Sequence, residues 1–114
     1  MMKMSDMDIY HLPEWLGKIV DEIEERGRKE LLKESTQYAR MDKESSRILE
    51  HFKFISTLID RDGITAPIDM GITEARALSR FLALENDMEA LLRIKIYLMG
   101  CRHTVRFLRL AGLL

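Results

Sequence analysis

The sequence predicts an all-α protein, a long antiparallel helical hairpin with a shorter helix ahead of it, packed as a three-helix or dimeric bundle. Three observations carry the prediction. Apolar residues recur at spacings of three and four over most of the chain, which is the period of a one-sided helix. Glycine and proline, the residues that interrupt helices, bracket one segment, with Gly63, Pro67 and Gly71 close together. Hydrophobic residues make up 46% of the chain and charged residues 32%, enough apolar surface to offset the entropy of ordering a single domain of 114 residues, 1–114, without metal or disulfide staples.

The first helix is expected over about 13–26. Pro13 suits a first turn, where its missing N–H has no intrahelical partner. Leu12, Trp15, Leu16, Ile19, Val20 and Ile23 form its apolar face, and Gly27 offers a stop or kink. From Arg28 to Arg61 there is neither proline nor glycine. Met41, Ser45, Ile48, Phe52, Ile55 and Ile59 there repeat with the four-three spacing of a heptad seam, extended backward by Leu31 and Tyr38. One long helix over about 28–61 follows, with a second kink possible between Lys33 and Ser46, where Ser35-Thr36 and Ser45-Ser46 compete for backbone hydrogen bonds.

Gly63, Pro67 and Gly71 set a loop over 63–72. Thr73 followed by Glu74 reads as an N-cap and an acid in the first turn of a helix over about 74–111. Its inward positions are expected at Leu78, Phe81, Leu84 or Glu85, Met88, Leu91, Leu92 and Met99, continuing past Gly100 through Val105 and Leu108. Two helices of this length cannot enclose their own apolar surface. Either the first helix or a two-fold copy of the chain must supply the missing partner.

The net charge of −1 excludes a strong overall field toward nucleic acid or anionic lipid. It conceals a segregation. Residues 1–25 hold seven acids and two bases, whereas residues 91–114 hold five bases and no acid. On the last helix Lys95, Arg102, Arg106 and Arg109 fall within a stripe of about 60°, and Glu14, Asp21 and Glu25 form a comparable stripe on the first. The basic stripe is the candidate anion- or partner-binding surface and the acidic stripe its candidate counter-surface. Pairing of the two, within a monomer or across a dimer, is favoured over phosphate binding, because cations without interleaved aromatics are a weak nucleic-acid signature.

No catalytic, cofactor or metal residue is singled out. Asp21, Glu22, Glu24 and Glu25 with Glu85, Asp87 and Glu89 lack the matched inward pairs of a carboxylate-held metal. His11, His51 and His103 have no ligand partner at helical spacing. Cys101, beside Arg102 and His103, is the one cysteine, so no internal disulfide is available and a cytoplasmic location is expected. The first residues lack a signal-peptide apolar core, and the most apolar window, 91–114, carries too many charges to span a membrane.

Leu84-Glu85-Asn86-Asp87-Met88-Glu89 and the run from Ile96 to Leu108, with an aromatic, a glycine and a basic residue in order, resemble the closing helix of uncharacterised small helical proteins from Gram-positive gut bacteria. The resemblance implies a bacterial or phage-related helical protein and no site residue. The sequence thus leads to a non-enzymatic helical interaction or assembly protein, expected as a homodimer. A nucleic-acid-associated protein using Lys95, Arg102, Arg106 and Arg109 is the alternative.

Overall fold

A computed structural model describes residues 11–60 and 62–113. The methionine-rich first ten residues, including Asp6 and Asp8 of the acidic segment, lie outside them, as do Arg61 and Leu114. Four helices occupy the described chain, α1 at Glu14–Glu34, α2 at Thr36–His51, α3 at Phe54–Ile59 and α4 at Ile72–Leu110. Among the described residues there is no strand. The long α4 packs against the shorter helices in an all-α bundle.

Pro13 opens α1 as expected, its carbonyl accepting from Leu16 N and Gly17 N at 3.0 Å each. The helix does not stop at residue 26. It runs through Gly27, which is buried, to Glu34. A Cβ on Gly27 would stand 2.9 Å from Leu92 Cδ1 and 3.6 Å from Ile96 Cγ1. Glycine here allows the α1 backbone to reach α4, and that packing offsets its roughly 1 kcal/mol of poorer helix propensity.

The helix expected over 28–61 is three pieces. The first break is at Ser35, whose extended backbone (φ −110, ψ 109) ends α1 while its Oγ accepts from Tyr38 N at 3.0 Å and caps α2. The interruption expected at Gly27 therefore falls at Ser35. The second break is at Phe52 and Lys53. Both Phe52 and Phe54 pack on the cluster of Ile55, Ala77 and Phe81. Residues two apart point about 200° away from each other on a continuous helix, so facing both inward requires a break. Ile59, expected on the seam, is 54% exposed as a result.

α3 ends at Ile59, so the loop starts at Asp60, ahead of the expected 63; Gly63, at φ 77, bonds its N–H to Asp60 O at 3.0 Å. Thr73 is not the N-cap. Gly71 is, and α4 begins at Ile72 with Ala75 N bonded to Gly71 O at 3.0 Å. From there α4 is unbroken through Gly100 for 39 residues. It ends at Gly112, whose φ of 75 lets Leu113 N reach Leu108 O at 2.9 Å.

The core is a single seam. Ala77, Phe81, Leu84, Met88, Leu92, Lys95 and Met99 are the buried residues of α4. They meet Ile55 of α3, Met41, Tyr38 and Ser45 of α2, and Leu31 and Gly27 of α1. Glu44 with Arg80, Ser45 with Glu85, and Ile55 with Ala77 and Phe81 show that α2 and α3 run antiparallel to α4, whereas Glu30 and Glu34 both reach Lys95 and Gly27 packs against Leu92, so α1 crosses α4 there. The radius of gyration is 18.7 Å, against about 13 Å for a compact domain of this length. The accessible surface is 9516 Å², against about 6500 Å² for a compact chain of similar mass.

Candidate interaction surface

The four predicted cations do not lie on an edge of α4. At about 100° per residue Arg102, Arg106 and Arg109 fall within about 40° of Lys95, and Lys95 is on the buried seam between Leu92 and Met99. The basic stripe is the continuation of the core-facing side of α4 beyond the last buried residue.

Lys95 separates from the other three. Its side chain is 6% exposed, with Nζ 2.8 Å from Glu34 Oε2 and 2.9 Å from Glu30 Oε2. Hydrogen bonding to Glu34 and then Glu30 raises the Lys95 pKa above the ordinary lysine value against the opposing effect of burial, and the Lys95 ammonium in turn lowers that of the Glu30 carboxyl. The neutral long-stem side chain that the seam calls for is thus a lysine because α1 brings two acids one turn apart onto it. Lys95 is an internal ion-pair residue and is withdrawn as a surface contact.

The acids that meet Lys95 are not the predicted ones. Glu14, Asp21 and Glu25 are exposed and lie on the far side of α1 from Gly27, about 120° to 160° around the helix. Glu14 pairs with Lys18 at 3.4 Å and Glu25 with Lys29 at 3.1 Å, both along their own helix. They do not cover the basic stripe within the monomer.

Past the crossing, where Gly27 meets Leu92, Lys95 and Ile96, the two helices leave their inward sides uncovered. Gly27 and Leu31 are the only buried residues described on α1, and α4 has none beyond Met99. On α1 the inward side upstream of Gly27 is Leu16, Val20 and Ile23, with Ile19 beside them; Val20, Ile23 and Ile19 are exposed. On α4 the inward side is Arg102, Arg106 and Arg109, all exposed and, among the described residues, without an ion pair. Leu98, Val105 and Leu110, also exposed, flank them. At the root of this open end a cleft of about 190 Å³ is lined by Arg26, Glu30, Met99, Arg102, His103 and Arg106. Glu30 Oε2 is buried there, 2.9 Å from Lys95 Nζ.

A second cleft, about 480 Å³, opens where α1, α2 and α4 meet. It gathers four carboxylates, Glu24, Asp42, Glu85 and Glu89, but Arg28 and Arg93 stand among them, and Arg28 Nη2 bonds Glu24 Oε2 at 3.2 Å. Glu85 is committed to Ser45, whose Oγ donates to Glu85 Oε1 at 2.7 Å. Burial raises the pKa of the Tyr38 hydroxyl at the same cleft. Among the described residues no group of three or more His, Cys, Asp or Glu is arranged to hold a metal ion, and no helix is long and apolar enough to cross a membrane. Cys101 is free and exposed.

Residues 7–114 match a family described as "Family of unknown function (DUF6664)". The chain belongs to this family. The match takes in nearly the whole chain, where the resemblance read from the sequence rested on its last third. No curated protein and no solved structure matches the chain.

Sequence reasoning missed Glu30, Glu34, Arg26 and His103. A signal for the first two was present. Lys95 interrupts an otherwise apolar run of seam positions, and a buried lysine requires a partner, which has to come from a carboxylate pair one turn apart on the facing helix. Placing the helix end at Gly27 assigned Glu30 and Glu34 to a different helix and hid the pairing. Arg26 and His103 carry no such signal, since only the crossing point brings them together.

Proposed function

We propose that the chain is a non-enzymatic helical assembly protein that works as a homodimer. The observation that carries this reading is the open end, where the inward sides of α1 and α4 run on beyond their crossing without a partner. The surplus surface supports it. About 3000 Å² more than a compact chain of this mass would expose is ample for a standard interface, which removes about 1200–2000 Å² in total. In the clefts Glu24 is paired with Arg28, Glu30 with Lys95 and Glu85 with the Ser45 hydroxyl, so these carboxylates already have partners within the chain. A cytoplasmic location belongs to the proposal, on the strength of a free, exposed Cys101. Light scattering on the purified chain tests the reading. It is expected to give twice the chain mass of 13.4 kDa, and a mass equal to one chain at every concentration contradicts it.

A second reading has one observation in its favour. Arg102, Arg106 and Arg109 are exposed on one helical side without ion-pair partners among the described residues, as phosphate-contacting residues are. Their apolar flanks and the loss of Lys95 to the interior favour a protein over a nucleic acid in that place. Salt-sensitive retention on DNA would support the nucleic-acid reading, and no retention at low salt removes it.

A further inference from the structure

The geometry points to a binding site for a phosphate monoester in the cleft of about 190 Å³ at the α1–α4 crossing, held by Arg26 from α1 and by Arg102 and Arg106 from α4. The inference goes beyond the homodimer reading and does not rest on it, because every group of the site belongs to one chain.

The crossing makes the two sides of Gly27 unlike. Gly27 packs against Leu92, Lys95 and Ile96, so α1 passes over α4 there and leaves a corner on either side. Glu24 and Arg28 face the corner toward the start of α4, with Glu85, Glu89 and Arg93. Arg26 and Glu30 face the corner toward its end, with Arg102, His103 and Arg106. The first corner supplies its own counter-charges, as Arg28 does for Glu24. The second gathers three guanidinium groups around one carboxylate, and that carboxylate is already taken. Glu30 Oε2 lies 2.9 Å from Lys95 Nζ, which Glu34 meets at 2.8 Å.

With that ion pair included, Arg26, Arg102, Arg106 and Lys95 oppose only Glu30 and Glu34, which leaves a surplus of two positive charges. Among the described residues none of the three arginines has an ion pair, and Glu22, one turn before Arg26 on α1, is not paired with it. The arginines act on a common point. Lys95 lowers the pKa of the Glu30 carboxyl most, and the charges of Arg102 and Arg26 lower it further. Arg102 and Arg106 are one turn apart on α4, which sets their Cβ atoms about 6 Å from each other, and Arg26 reaches the same space from the crossing helix. Guanidinium groups gathered in this way repel one another, and an anion between them relieves the repulsion.

A phosphate monoester fits the surplus. It carries close to two negative charges at neutral pH and three acceptor oxygens. Guanidinium groups present planar, paired donors to such oxygens, and the His103 ring adds a further N–H to the lining. A carboxylate brings a single charge and two oxygens, and so leaves an arginine unmatched. A phosphodiester of a nucleic-acid backbone also brings a single charge, and both its ester arms would have to leave a corner that α1 closes on one side.

Titration of the isotopically labelled chain with methyl phosphate, followed by NMR at the arginine side-chain N–H signals, tests the site. Saturable shifts are expected at Arg26, Arg102 and Arg106, and dimethyl phosphate, the diester, should bind at least about tenfold more weakly. R26Q, R102Q and R106Q should each weaken methyl phosphate by about tenfold or more, the effect of losing a hydrogen bond to a charged group. All three side chains are exposed, and circular dichroism checks that the variants keep the wild-type helix content. R93Q, which takes one charge from α4 on the other side of the crossing, should bind as wild type does. Absence of a saturable shift overturns the site. Equal weakening in R93Q, or dimethyl phosphate binding as tightly as methyl phosphate, overturns it too, by giving the effect to general charge or to a diester backbone. A monomer that binds methyl phosphate in this way removes the homodimer reading alone, and a dimer that does not bind it removes the site alone.

Discussion

Truncating Leu84 to alanine should remove about half the stability of the fold. Leu84 is 1% exposed and packs with Tyr38, Met41 and Met88 where α2 meets α4. The change deletes about three methylene equivalents at about 0.8 kcal/mol each. The helices around it are held by their own hydrogen bonds and close the gap only in part. A residual cavity of about 50 Å³ at about 24 cal/mol per Å³ adds roughly 1 kcal/mol. The expected loss is therefore about 3–4 kcal/mol. With ten buried hydrophobic residues described in the core, total stability belongs at the low end of about 0.05 kcal/mol per residue, or about 6 kcal/mol. Urea unfolding followed by circular dichroism should show the midpoint falling by about 2 M for a slope near 1.5 kcal/mol/M. Protein concentration is held constant so that any association contributes equally to both proteins. Leu82→Ala, 53% exposed on the same helix, is the control and should cost less than about 1 kcal/mol. Equal losses for the two variants would refute the assignment of the α2–α4 seam as the core.

Other perturbations separate the parts of the account. Gly27→Val puts a branched Cβ 2.9 Å from Leu92 Cδ1 and should cost about 1–3 kcal/mol by overpacking, whereas Gly27→Ala should come out within about 1 kcal/mol of wild type, its helix-propensity gain offset by a small shift of the Leu92 methyl; thermal melts of the pair check this. Ser35→Ala removes the cap on α2 and should lower stability by about 1 kcal/mol in urea unfolding. Stability should be flat across neutral pH and fall at both ends. The Glu30 and Glu44 carboxyls are held below their ordinary 4.5 by Lys95 and Arg80, so what they contribute is present above that value and is lost as pH falls through their lowered pKa. The Lys95 ammonium is raised above 10.5, so its contribution is complete below that value and is lost as pH rises through the raised pKa. Tyr38, pushed up by burial, acts in the same alkaline direction. In Lys95→Met both limbs should shrink, which urea midpoints measured across the pH range would show.

Much of this fold was legible because its signals are local. The apolar spacing of Phe81, Leu84, Met88, Leu92 and Met99 and the absence of a proline after Pro67 specify α4 from the sequence, including its passage through Gly100, where a glycine on the exposed side disturbs nothing. The errors came from residues whose role depends on a distant contact. Gly27 is read as a stop by local rules, but α4 packs against its missing side chain. Phe52 and Phe54 look compatible with one helix until the cluster around Ile55 requires both of them. The basic stripe was correctly seen as a stripe. Its orientation was missed because Lys95, read as a surface cation, is the residue that shows the stripe and the core to be one side of the helix. The acidic stripe was likewise real but is turned away from it, with Glu14 and Glu25 paired along their own helix, so the two stripes do not meet within the monomer.

Hydrogen exchange of the wild-type chain at low and high protein concentration tests most directly the claim that the open end is completed by assembly. Amides of residues 14–26 and 100–110 are expected to gain protection as concentration rises through the dimerisation range, more than those of 41–51 and 77–95, which the monomer already packs. Protection at the open end that stays unchanged with concentration, or that rises elsewhere in the chain instead, would contradict the account.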